Sequence, residues 1–401
     1  MTTNELRSLF PQLGRTVYGK PLVYLDNAAT SLRPLPVTER WTEISNNCTA
    51  NLHRAVHRVA TEATEAYEDA RKAVARFINA PDYKEVIFTS GATHSLNLAA
   101  FSLAEALINE GDEIIAGEAE HHSNLVPWQM ACKRKGARLI RLPVRDDGTI
   151  DTDALPSLIT PRTKILCISH VSNVLGIVNP IAPICSLCRS KSVTTVVDGA
   201  QGIVHQKVDV QALGCDFYAF SGHKMYAAPG TGVLWGRREL LDLMPPMAGG
   251  GEMIETVGWE SSTYAPLPAK FEAGTQNISG TPTFVPAIEL MEQMPDNQEV
   301  KEYIYDTLTL TPGIRLYGTP PSPGDKVPVF SFTVEGAHHE DLALLLDKMG
   351  IAVRSGQMCA EPLMDRFGVT GMLRASIAPY NTMQEAEYFV SSLHKAIGML
   401  K

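Results

Sequence analysis

Cys215-Asp-Phe-Tyr-Ala-Phe-Ser-Gly-His-Lys224 is an apolar, aromatic-rich run that closes on Ser221-Gly222-His223 and a lysine. Its composition reads as a strand buried on both faces. Upstream, Thr194-Thr-Val-Val-Asp198-Gly-Ala-Gln201 has the same form, with a carboxylate where the apolar segment stops. Taken singly, Lys224 also suits a surface loop and Asp198 a helix cap. Together, a lysine and an acid at the ends of two buried strands meet the needs of a pyridoxal 5'-phosphate (PLP) site. The lysine would bind the cofactor as a Schiff base, and the carboxylate would keep the pyridine nitrogen protonated so that the ring can take up electrons.

Working outward, short apolar segments alternate with helical ones from about residue 85 to 235. The strand candidates are 85–89, 113–116, 138–144, 164–169, 194–197, 216–220 and 232–235. Strands interleaved with helices predict an α/β domain around a mostly parallel sheet, with ligands at the carboxyl ends of its strands. Beyond Ala265 the chain turns rich in Pro and Gly, with a helical segment near Pro286–Met294. Strands at Val329–Val334 and Ile351–Arg354 follow, then a helix from Thr382. This predicts a smaller α+β C-terminal domain. The expected division is an N-terminal segment (1–20) packing on the small domain, a large cofactor-binding domain (21–280) and a small domain (281–401).

A chain of 401 residues with 44% hydrophobic and 20% charged residues is ordinary for a globular protein of more than one domain. The formal net charge of -9 gives no footprint for nucleic acid or an anionic membrane. No apolar stretch spans a bilayer, and the Met1–Arg7 start lacks the features of a signal peptide, so a cytoplasmic location is expected. Seven scattered cysteines argue against a disulfide framework. Cys185-Ser-Leu-Cys188 has no second pair at zinc spacing and falls in a helical stretch, so it reads as buried small hydrophobes, with no metal site.

Several other segments bear chemistry. In Val86-Ile-Phe-Thr-Ser-Gly-Ala92-Thr93 a strand runs into a helix start, which is either a phosphate cradle or a plain Thr cap. His121 and His122 follow a strand; a ring stacked on a planar cofactor and a polar loop pair are both open readings. Asn173 and the Gly274-Thr275 turn could supply hydrogen bonds or belong to ordinary loops. Arg374 opens an apolar strand, where a buried guanidinium needs either a substrate carboxylate or a structural acid. Cys359 sits in a Gly- and Pro-bounded loop, so a reactive thiol competes with a packing role.

In combination these motifs resemble the group II (SufS/CsdA-type) cysteine desulfurases of the class V aminotransferase superfamily. The resemblance runs nearly end to end, through Tyr24–Thr30, Asn51-Leu-His53-Arg54, Gly91-Ala-Thr93, Glu120–Trp128, Asp198-Gly-Ala-Gln201, Ser221–Lys224, Glu272–Thr275, Arg354–Cys359 and Arg374-Ala-Ser. It implies the aspartate-aminotransferase-like PLP-dependent transferase fold (fold type I) and an active site at a homodimer interface. It further implies that Lys224 carries PLP, Asp198 pairs with the ring nitrogen, Gln201 bonds the phenolic oxygen and His121 stacks on the ring. Ala92, Thr93, Ser221 and His223 would hold the phosphate, with Thr275 entering from the second subunit. Asn173, Arg374, His53 and Arg354 would bind the substrate. Cys359 would take sulfur from L-cysteine as a persulfide, leaving L-alanine, and pass it to an acceptor protein for iron–sulfur cluster assembly or another use.

Three departures stand out. Met358 precedes the nucleophile where relatives commonly have His. The phosphate loop reads Gly-Ala-Thr-His where Gly-Thr-Thr-Glu is usual. The stretch between Glu292 and Pro312 is shorter than its counterpart, implying that part of a small-domain helix is missing. Two other functions compete: a PLP-dependent lyase acting on L-selenocysteine or a related β-substituted amino acid, and a catalytically weak sulfur-relay or scaffold subunit.

Overall fold

The computed structural model describes residues 1–53, 56–320 and 323–400; Arg54 lies outside them. Seven strands form the main sheet: β1 (Val86–Thr89), β2 (Glu113–Gly117), β3 (Arg138–Leu142), β4 (Thr163–Ser169), β5 (Thr194–Asp198), β6 (Phe217–Ser221) and β7 (Gly232–Gly236). Their order is β1-β7-β6-β5-β4-β2-β3. Only β7 runs antiparallel to its neighbours; every other pairing is parallel. All seven expected strands are present. The third ends at Leu142 rather than Val144, because Pro143 has no N–H to give to the ladder.

These strands read as unbroken apolar runs because both faces are covered. Along β4, Ile165 and Cys167 enter the core on one side, and Leu166 and Ile168 the core on the other. The period-two geometry of a strand makes such alternation obligatory. Helices Ala92–Leu107 and Val126–Lys135 pack on one face, and Arg58–Phe77 and Ile181–Ser190 on the other. Cys185 and Cys188 lie buried in the last of these, where the sequence placed them as packing residues.

A second, wholly antiparallel sheet contains β8 (Ile314–Tyr317), β9 (Val329–Val334), β10 (Arg354–Gly356) and β11 (Met372–Ser376), in the order β8-β9-β11-β10. The expected strand at 351–354 is split in two. Ile351–Ala352 pairs in parallel with Val23–Tyr24, and Arg354 begins a separate pairing with β11. Residues near the start of the chain therefore lie against this sheet: Leu25 N–H donates to Ala352 O (2.9 Å) and Ser376 N–H to Leu25 O (2.7 Å). Helices Gln298–Leu310, His339–Lys348 and Met383–Leu400 cover the sheet. The first occupies the stretch expected to lack part of a helix, and buries Val300, Ile304 and Leu308 at a spacing of four. Among the described residues, no helix is long and apolar enough to cross a membrane.

One buried ion pair fixes the edge of the main sheet. Arg71 donates to Glu272 through both terminal nitrogens (2.6 and 2.9 Å) and to Val86 O (2.7 Å). Glu272 also accepts from Phe88 N–H (2.7 Å) and Tyr67 Oη (3.1 Å). Removing one member of such a pair strands the other charge, at a cost of about 3–5 kcal/mol. Glu272→Ala should therefore move the urea midpoint far to lower concentration. Glu43→Ala, which breaks an exposed pair with Arg40, should move it by a small fraction of that.

Candidate active site

Lys224 and Asp198 meet because β5 and β6 are parallel neighbours, with Asp198 opposite Ala219. Asp198 ends its strand, and Lys224 ends the single 3-10 turn that follows Ser221. Burial pushes the Asp198 carboxyl up and Lys224 opposes this; burial likewise lowers the Lys224 ammonium, opposed by Asp198. Among the described residues, the Asp198 carboxylate accepts one hydrogen bond, from Ala200 N–H (2.9 Å). A buried carboxylate with lone pairs to spare calls for a further donor.

Beside this pair, the 16-residue helix Ala92–Leu107 starts at Gly91 without a side-chain cap. Ala92 N–H donates to Ser221 Oγ (2.7 Å), Thr93 Oγ1 lies 2.8 Å from Ser123 Oγ, and His223 Nδ1 lies 3.1 Å from Thr30 Oγ1. Uncapped amides at a helix start, together with these hydroxyls, suit a phosphate. Gly232 lets β7 approach this turn: a Cβ there would stand 2.4 Å from Gly91 Cα.

The thiol arrives on the opposite wall. Met358 (φ 52) and Cys359 (φ 57) are consecutive non-glycine residues in the left-handed region. Such backbone persists only where its surroundings hold it. Asn173 Nδ2 donates to Met358 O (2.9 Å), His122 N–H to Cys359 O (2.7 Å), and Glu361 N–H to His122 Nε2 (3.2 Å). Asn173 thus holds the loop just before the cysteine, and His122 holds it at the cysteine carbonyl and two residues beyond. Its neighbour His121 accepts from Ser123 N–H at Nδ1 (3.0 Å). Burial lowers its pKa to about 4, with Lys224 and then His122 adding to the effect, so the ring is neutral. Cys359 is the exposed cysteine of the chain.

Asp26 supplies the carboxylate that the buried arginine requires. It accepts from Arg354 Nη2 (2.9 Å) and Nε (3.0 Å), and from Arg374 Nη2 (3.2 Å). Arg374 Nη1 donates to Asn173 O (2.8 Å), while its Nε is buried without a partner among the described residues. An orphaned guanidinium donor beside the thiol leaves room for an incoming carboxylate.

One cavity of about 250 Å³ is lined by Ala92, Thr93, His121, Asn173, Asp198, Gln201, Ser221, His223, Lys224, Arg354, Cys359 and Arg374. Two expected residues are not brought into it. Thr275 is exposed and outside the lining, and His53 lines a different cavity, with its Nε2 3.7 Å from Glu68. Two amide groups already have protein partners: Gln201 Nε2 donates to Ala28 O (2.7 Å), and Asn173 is spent on Met358. Asp26 and Ser123 carry no reading of their own in the sequence, and His122 was expected as a stacking ring or a polar loop residue, not as the holder of the Cys359 loop. Asp26, in an acid-asparagine turn just after a strand, was the one with a local signal.

The residues fit PLP: an under-satisfied buried carboxylate for a ring N–H, a lysine beside it, a neutral imidazole and an uncapped helix start. The chain belongs to the class V aminotransferase family, whose model matches residues 23–389. Enzymes of this family use PLP, and within it the similarity runs to cysteine desulfurases. A probable cysteine desulfurase of Xylella fastidiosa (strain 9a5c) is 46% identical over 99% of this chain and 96% of its own. One from Vibrio cholerae is 42% identical over the whole of both. The crystal structure of the Escherichia coli cysteine desulfurase CsdA (S-sulfonic acid) superposes with a TM-score of 0.91 at 40% identity, covering both chains fully.

Two expectations follow. His122→Ala removes the acceptor for Glu361 N–H, a bond of about 1 kcal/mol, so that amide should exchange with solvent roughly fivefold faster. His122→Gln, whose side chain can still accept, should exchange more slowly than the alanine variant; unchanged exchange in His122→Ala would mean that the imidazole does not hold the loop. The second concerns pH. His121, His170, His205 and His223 are each held near 4 by burial, below the ordinary 6.5. The unfolded chain therefore binds more protons between about pH 6.5 and 4. Stability from these groups is full above pH 6.5 and lost as pH falls toward 4, by up to about 1.4 kcal/mol per unit for each histidine. Glu120, pushed up to about 8, and Asp198, also raised, act in the opposite direction. Burial also lowers His94 and His339 and raises Glu85, so six histidines outweigh three carboxyls and the urea midpoint should fall between pH 6.5 and pH 5.

Proposed function

We propose that the protein is a cysteine desulfurase that converts L-cysteine to L-alanine and holds the sulfur as a persulfide on Cys359. One observation carries the reading: Lys224, Asp198, a buried Arg374 with a free Nε, and the exposed Cys359 share one cavity. When bound, PLP supplies an electron sink conjugated to the substrate Cα, which weakens the Cβ–S bond. Lys224, Asp198, Gln201 and His121 would hold the cofactor ring, and Ala92, Thr93, Ser221 and His223 its phosphate. Because burial favours the neutral Lys224 amine, this group can take a proton from Cα and return it.

Arg374 accepts the substrate carboxylate at its free Nε, with Arg354 and Asn173 beside it. That contact turns the side-chain sulfur of the substrate toward Cys359. The thiolate attacks this sulfur; an S–S bond forms as Cβ–S breaks, and the bonding pair stays with the carbon fragment. After protonation the fragment leaves as alanine. Met358 cannot take the thiol proton, so a substrate group or solvent does. The exposed position of Cys359 suits hand-over of the sulfur to an acceptor protein, for iron–sulfur cluster assembly or another route. Thr275 and His53 complete the site if a second copy places them there, which makes a homodimer the working form. The cytoplasm is the expected compartment.

The test supplies L-cysteine and a reductant to the PLP-loaded protein and assays alanine and sulfide. Mass spectrometry of the unreduced protein should show Cys359 heavier by one sulfur atom. Cys359→Ser should lose both the added mass and nearly all sulfide release, while keeping the cofactor absorbance. Sulfide release undiminished in Cys359→Ser would sink the persulfide role. L-Selenocysteine processed equally well by both forms would place the protein among selenocysteine lyases instead.

A further inference from the structure

Behind the wall formed by Gln201 and Lys224 lies a second cavity of about 250 Å³, between the main sheet and the antiparallel one. Its far side holds Lys326, a lysine only 2% exposed. The backbone is fixed there: Lys326 bridges Ile177, and Val327 N–H donates to Gly176 O (2.8 Å). The ammonium donates to Leu175 O (2.6 Å) and stands 5.6 Å from the centre of the Phe330 ring. One carbonyl satisfies one of its three N–H groups. Among the described residues, no carboxylate pairs with it.

Leaving a cation so enclosed without a counter-charge is unfavourable unless something else balances it. Burial pushes Lys326 down to about 7, and Lys301 acts in the same direction. His205, which also lines the cavity, is held near 4 by burial and then by Lys301 and Lys224. Burial is the larger cause at both Lys326 and His205, and Lys301 adds to it, so Lys326 and Lys301 bring two amines to one cavity with little negative charge between them. Glu302, and then Asp296, offset part of the Lys301 charge; Asp296 is the carboxylate among the described lining residues, and it is exposed.

We propose that this inter-sheet cavity is a binding site for a small oxyanion, a phosphate, sulfate or carboxylate group seated between Lys326 and Lys301. The anion supplies the missing counter-charge and accepts the free N–H groups of Lys326. It also bridges β9's approach segment and helix Gln298–Leu310 to the wall that carries Lys224.

The experiment uses the PLP-saturated protein, so that the phosphate cradle at Ala92 is filled. Sodium phosphate, sulfate and acetate are titrated separately at pH 6.5, each against sodium chloride of equal ionic strength. Binding is read by calorimetry and thermal unfolding. Saturable binding is expected, with Tm raised by about 2–4 °C at saturation. Lys326→Met and Lys301→Met should each weaken affinity at least tenfold. Lys326→Met should fold well, since it replaces an unpaired buried charge by an apolar chain of similar length. A response to phosphate and sulfate alone assigns a tetrahedral oxyanion, and a response to acetate alone a carboxylate. No saturable binding beyond chloride, or equal affinity in Lys326→Met and the unaltered protein, overturns the proposal. Neither result bears on the desulfurase reading, because no turnover is measured.

Discussion

Burying an amine and a carboxylate side by side at the ends of two parallel strands is the constraint on which this molecule turns. Neither group is at ease alone in a low-dielectric interior. Lys224 and Asp198 each ease the other's burial, yet each is left with bonding capacity unused. The sheet can hold them there because its strands are covered on both faces and its order puts β5 beside β6. A slip of one residue in β6 would send its alternate side chains into the opposite core, so the position of the lysine is tied to the packing of Tyr218 and Phe220.

The second requirement is that two parts of the fold meet at one point. Asp26 does this electrostatically, bonding to Arg354 on one strand of the antiparallel sheet and Arg374 on the next. His122 does it with the backbone, linking the end of the main sheet to the Cys359 loop. The left-handed pair at Met358 and Cys359 is tenable because both flanking peptide groups are bonded from the other side of the cavity.

What the sequence disclosed follows from how each residue signals itself. Strands such as 164–169 were readable because burial on both faces forces continuous apolar runs, and Asp198, Ser221 and Lys224 because a polar group at the end of such a run stands out. The Ile351–Arg354 break was not readable, since it depends on pairing with Val23–Tyr24, more than three hundred residues away. Asp26, and the loop-holding role of His122, were not readable for the same reason: their partners lie 328 and 239 residues distant in the chain. Family resemblance brought Thr275 and His53 to notice, but a single chain does not place them in the cavity that holds Lys224.

The cysteines carry a consequence for traffic. Cys132, Cys167, Cys185, Cys188 and Cys215 are buried, and burial raises the pKa of each thiol. Such thiols are poor nucleophiles and poor acceptors. Sulfur held on Cys359, as proposed, would find no internal relay among them along which to migrate, and no buried sink in which to be lost. Its way out would be through the solvent-facing mouth of the cavity, and the choice of recipient would rest with whatever molecule docks over that opening.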